Sequence, residues 1–210
     1  MILESLPWLE KVFSWLRSWL RAAKFEVSVD PIRCLSVHTN LETYMYAKSD
    51  SYAQEMFSCG VVYLAVKQKN GSTATDVKIL VNTIVRLDGK EGERLPVHSL
   101  YLTWEHDGTQ NGITTNFEKG EIKYCLLGTY AMDTDLVGDP WMFGIGDLKM
   151  RGNPINDKFA RYLPAGTYEI ELILSGKNVH RLVIHTKLSI DGKGSLDESE
   201  MFGEHVQVST

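Results

Sequence analysis

The residues able to carry chemistry are scattered, and their spacing decides what they can do. His180 and His185 stand five apart in a stretch read as one strand. Side chains alternate along a strand, so the two imidazoles face opposite sides and cannot close on one metal ion. His98, His106 and His205 have no Cys or His partner at ligand spacing. Asp133, Asp135 and Asp139 offer the oxygens a calcium ion takes, yet Asp133-Thr134-Asp135 supplies only a fragment of the alternating donor set. Gly144-Ile145-Gly146-Asp147 lacks the strand–turn–helix unit of a dinucleotide site. No serine sits in a GxSxG elbow. Glu118 and Glu121 read as turn and strand-edge charges. Cys34, Cys59 and Cys125 are isolated and odd in number, which fits buried thiols in a reducing compartment, with a disulfide between two of them left open. The expectation is a protein that is not an enzyme, without cofactor or metal.

The elements that would position these residues begin with a helix. On a wheel of about 100° per residue, Leu6, Trp8, Leu9, Val12, Phe13, Trp15, Leu16, Trp19, Leu20 and Ala23 share one half. Glu4, Glu10, Lys11, Ser14, Arg17, Ser18, Arg21 and Lys24 share the other. Ser5 is placed to cap, Pro7 lies in the first turn, and Arg17, Arg21 and Lys24 crowd the C-terminal end, where the macrodipole favours cations. The helix is expected to end before Val27. Glu10, Lys11, Ser14, Arg17 and Ser18 interrupt the apolar run, so it reads neither as a secretory signal nor as a membrane span, which needs about 20 mostly apolar residues.

Beyond the helix the period becomes two. Residues 61 to 68 read as a strand, Lys69-Asn70-Gly71 as a turn, and Val77, Ile79 and Val81 as the inward set of the next strand. Further strands are expected near 34 to 38, 98 to 104, 121 to 130, 167 to 174 and 180 to 188, the last two flanking a hairpin turn at Gly176-Lys177-Asn178. No helical pattern separates them, which predicts a mainly β, antiparallel sandwich or barrel. Residues 42 to 57 read as a loop with a short helix or an edge strand. Residues 131 to 163 read as one long connection, in which Trp141, Met142 and Phe143 form either an exposed recognition patch or a plug for one open end of the sandwich. The domain reading is an amphipathic helix at 1–25, a sandwich at 26–190 and an acidic mobile tail at 191–210.

Val66-Lys67-Gln68-Lys69-Asn70-Gly71-Ser72-Thr73-Ala74-Thr75-Asp76-Val77-Lys78-Ile79 resembles the B–C hairpin of CARDB-type immunoglobulin-like domains. Leu163-Pro164-Ala165-Gly166-Thr167-Tyr168-Glu169-Ile170-Glu171-Leu172 is similar to the turn and strand that often precede their final hairpin. The layout of a membrane-proximal N-terminal helix followed by such a sandwich resembles many bacterial proteins. The resemblance covers about a third of the chain. It implies an immunoglobulin-like sandwich with a binding or scaffolding role and no catalytic residues.

A chain of 210 residues supports one well-buried core and an appendage. Its 43% hydrophobic and 23% charged content is that of an ordinary globular protein. A net charge of −5 argues against nucleic acid, which calls for a basic stripe. Residues 5–24 must bury their apolar face on a membrane surface, a protein partner or the chain's own sandwich. The expectation is a binding or scaffold protein in the cytoplasm, peripheral at the inner face of the membrane. A soluble homo-oligomer assembled through its helices and a membrane-disturbing effector are the rivals.

Overall fold

The computed structural model describes residues 7–29, 37–38, 59–89, 93–95, 97, 100–105, 112–132, 141–146, 162–194 and 204–210. Helix α1 (Pro7–Arg21) leads into β1 (Lys24–Val29), β2 (Val37–His38), β3 (Cys59–Asn70) and β4 (Ala74–Arg86). There follow β5 (Glu93–Leu95), β6 (Leu100–Tyr101), β7 (Thr103–Trp104), β8 (Thr115–Phe117) and β9 (Ile122–Met132). The chain continues through β10 (Trp141–Ile145), β11 (Tyr162–Leu163), β12 (Gly166–Lys177), β13 (Leu182–Ile190) and β14 (Val206–Ser209). The protein is mainly β. One sheet runs β1-β3-β9-β10-β11, with β2 on β3 and β7 on β9; the other runs β14-β13-β12-β4-β5, with β6 and β8 on β4. The ladders are antiparallel.

Alternation builds the core between the sheets. Val62, Leu64 and Val66 of β3 meet Val77, Ile79 and Val81 of β4 and Ile170, Leu172 and Leu174 of β12 in one buried cluster. A bulge corrects the register of β4. Glu171 opposes Thr83 and Leu172 opposes Val81, so Asn82 is skipped and Ile84 returns to the core face. Aromatic rings lock the smaller strands on: Phe117 stands edge-on to both Phe25 and Trp104, and the Trp104 indole N–H donates to the carbonyls of Val77 and Ile113.

The long strands fall where the alternation predicts them, and Leu174 pairs with Leu182 across the hairpin around Gly176-Lys177-Asn178. Four expectations change. The helix stops at Arg21, and Lys24 opens β1, whose Phe25, Val27 and Val29 pack on the core. Phe25 falls on the polar half of the wheel, where the helical period already breaks. Next, β3 and β4 do not zip into a hairpin; each joins a different sheet. The turn's polar groups look elsewhere: the Ser72 amide donates to the Arg21 carbonyl, and Gln68 Nε2 to the Ser72 carbonyl. Third, the stretch 131–163 contains β10 and β11 rather than loop alone. Fourth, the end of the acidic tail is strand β14, whose Val206 is buried. Residues 42 to 57 and the 34 to 36 part of the first expected strand lie outside the described residues.

Candidate functional site

Pro7 opens α1, where its missing amide costs nothing, Glu10 lies in the first turn and Arg21 in the last. Trp8, Val12 and Leu16 stand four apart on one face, with Phe13 beside them. They are 56%, 46%, 42% and, for Phe13, 53% exposed, although apolar. Among the described residues the other exposed large apolar side chains are Leu87, just after β4, Ile122 in β9 and Val183 in β13, each on a different segment. Leu9, Trp15, Arg17, Trp19 and Leu20 lie on the same helix, but their side chains, like the whole of Leu6, lie outside the described residues. Lys11 and Arg21 are exposed.

The helix is joined to the sheets through backbone. Ala23 is fully buried and forms a parallel bridge with Val179. Its amide donates to the Asn178 carbonyl at 2.6 Å, and its carbonyl accepts from His180 N–H at 3.0 Å. The Arg21 carbonyl accepts both the amide and the hydroxyl of Ser72. Gly71 makes this possible. Its φ is +100°, and a Cβ there would lie 2.6 Å from both the Ala22 oxygen and the Ala23 Cα. The helix therefore leaves one end of the sheets as a fixed continuation of β1, beside the turns at 70–73 and 175–181.

The other candidates behave as structural residues. Phe143 is fully buried, opposite Tyr130 on β9 and Leu163 on β11, so it belongs to the core, and Trp141–Ile145 is a strand rather than a loop. Met142 is half-buried, and the Trp141 side chain lies outside the described residues. Gly128 makes room for Phe143: a side chain there would run into the Phe143 ring and the Gly144 carbonyl. Complete burial pushes the Cys125 thiol far up, which removes the thiolate a nucleophile needs. Cys34 and the Cys59 side chain lie outside the described residues, as do His98, His106, Asp133, Asp135 and Asp139. His185 is exposed and meets Glu169 across the β12–β13 ladder at 3.2 Å, while Glu121 accepts the Glu118 amide in a turn. Among the described residues no three His, Cys, Asp or Glu side chains gather as a metal site. Among them, too, no helix is long and apolar enough to cross a membrane.

Sequence reasoning missed two devices. Tyr168 in β12 donates its hydroxyl to the Pro164 carbonyl, closing a corner that Pro164-Ala165-Gly166 signals. At the start of β14, His205 Nδ1 lies 2.8 Å from Asp191 Oδ2, whose other oxygen accepts the Lys193 amide. Partial burial raises the Asp191 pKa, but these partners outweigh it and hold the carboxyl below 3.8. A carboxylate so lowered contributes stability above its unfolded value and loses it as pH falls through the lower, folded one. Hydrogen exchange of the β14 amides should therefore stay protected down to the ordinary aspartate range and lose part of that protection as pH falls below it. Asp191→Asn should reduce that protection about two- to fivefold at neutral pH.

Fold and site together define a mainly β protein of two antiparallel sheets with an amphipathic helix fixed to one end. No protein-family model, curated protein or solved structure significantly matches the chain.

Proposed function

We propose that this is a non-enzymatic binding or scaffold protein, held at the cytoplasmic face of a membrane by α1 and built on an immunoglobulin-like sandwich. The strand order supports the fold reading. The orders β1-β3-β9 and β13-β12-β4 correspond to A-B-E and G-F-C, with β10 and β11 as an addition beyond E. The Tyr168–Pro164 bond matches the tyrosine corner at the start of strand F.

The observation that carries the functional reading is the exposed stripe of Trp8, Val12, Phe13 and Leu16 on a helix rimmed by Lys11 and Arg21. Each side chain is about half exposed. At 1.5 to 3 kcal/mol for full burial of each, covering all four contributes about 3 to 6 kcal/mol. That is enough for reversible residence at a lipid interface, where indoles are favoured, and short of permanent anchorage.

The test compares the full chain with Trp8→Glu/Phe13→Glu in vesicle co-sedimentation, while recording the mass of each in solution. Substitution is preferable to truncation at Phe25, which would remove buried Ala23 and its hydrogen bonds. The expected result is vesicle binding by the parent, at least about tenfold weaker binding by the variant, and an unchanged monomer mass. A parent that ignores vesicles but forms an oligomer, with a monomeric variant, would make the helix an assembly interface instead. Release of vesicle contents would mark a membrane-disturbing effector.

A further inference from the structure

The apolar stripe alone holds the chain only weakly, and the end of the sheets bearing the helix supplies a second attraction. Four segments meet there. Lys24 pairs with Asn70, the Gly120 amide donates to the Gln68 carbonyl, and Thr73 Oγ1 to Glu118 Oε2. His180, donating to the Ala23 carbonyl, leads directly into Arg181. Most anions of this end are already matched: Glu26 by Lys69 at 2.9 Å, Asp76 by Lys177 at 2.7 Å and Glu121 by Lys123 at 3.6 Å. Arg21, Lys24, Lys119 and Arg181 are exposed, and among the described residues none of them has an ion-pair partner. Among the described residues of this end Glu118 is the anion without a cation partner, and exposed Glu10 lies on the helix itself. A local excess of cations on a chain of net charge −5 is a polarised distribution, with the negative charge carried elsewhere.

Resting on the membrane reading above, we infer that this end of the sheets is itself a docking surface for an anionic bilayer. Lys24, Lys119 and Arg181 contact headgroups alongside the helix. The clamp at Ala23 and Gly71 makes the two contacts one surface. The helix leaves from this junction, where Arg21 and Ala23 are hydrogen-bonded to the turns, so its insertion brings their cations towards the headgroups. The occupant follows from charge complementarity and from the adjoining apolar face, a pairing that suits lipid acyl chains beneath negative headgroups. Each cation near such a surface strengthens binding severalfold, and salt screens the effect.

The experiment uses the full chain, Lys24→Gln/Lys119→Gln/Arg181→Gln, and a control, Arg94→Gln/Lys187→Gln. The control removes exposed cations farther along the second sheet, Arg94 opposite Val85 and Lys187 opposite Glu169. Each is titrated with vesicles of phosphatidylcholine alone and with phosphatidylserine added. The triple variant should bind neutral vesicles as the parent does and lose roughly tenfold or more of its affinity for anionic ones, while the control matches the parent. Because all five side chains are exposed, thermal unfolding should not move. A triple variant that keeps the parent's preference for phosphatidylserine overturns the inference and leaves the helix reading intact. So does a control that loses as much, since net charge alone would then be acting. A parent that binds neither vesicle removes the membrane reading, and this inference with it.

Discussion

Gly128→Val should yield a chain that does not reach the native fold. Gly128 lies in the middle of β9, paired with Val62 on one side and Ile145 on the other. A Cβ at this position enters the Phe143 ring and the Gly144 carbonyl oxygen. Neither can step aside. Phe143 is wholly buried, and Gly144 is bound in register to both Thr129 and Tyr162. Relief would mean expelling Phe143, at about 3 to 5 kcal/mol by analogy with its truncation, or unpairing β10 from β9. Either loss rivals a typical domain stability of about 5 to 15 kcal/mol. Circular dichroism and thermal unfolding provide the check, and a cooperative transition at the parental temperature would refute the expectation.

Gly71→Val should separate the helix from the sheets while leaving most of the core in place. The substitution puts a branched side chain at φ +100°, costing roughly 1 to 2 kcal/mol from backbone conformation alone. It also drives a Cβ into the backbone of Ala22 and Ala23, which has no rotamer through which to yield. The Ser72–Arg21, Ala23–Asn178 and His180–Ala23 hydrogen bonds would be lost or stretched, at about 1 kcal/mol each. The sum is about 4 to 5 kcal/mol, visible as a fall in the unfolding midpoint of several degrees or more. Gly71→Ala should show a smaller form of the same effect. An unshifted midpoint in both variants would mean that the junction is not fixed as described.

Legibility followed the range of the determining contacts. Val77, Ile79 and Val81 announce their strand because alternation is local, and Trp8, Val12 and Leu16 announce a helix face for the same reason. Strand β14 was hidden because Val206 and Val208 are two apolar residues in an acidic stretch, and they become a strand only against the open edge of β13. The fate of Phe143 depended on a glycine in another strand, so composition could not separate a buried ring from an exposed patch. Phe25 breaks the helical period, since it falls on the polar half of the wheel, and its apolar side chain belongs to the period of two that begins with β1. The corner at Pro164 to Tyr168 was readable, since its partners stand four residues apart. The cationic end was not, because Lys24, Lys119 and Arg181 are brought together by topology alone.

The order of the ladders also sets a timetable for synthesis. Strand β4 waits for β12, and β13 for β14, so the second sheet closes only after Val206 has left the ribosome. The helix emerges first. At about 5 to 20 residues per second, its apolar stripe is exposed for roughly 10 to 40 s before the last strand can add. A surface that takes that stripe can thus bind the nascent chain before the second sheet closes.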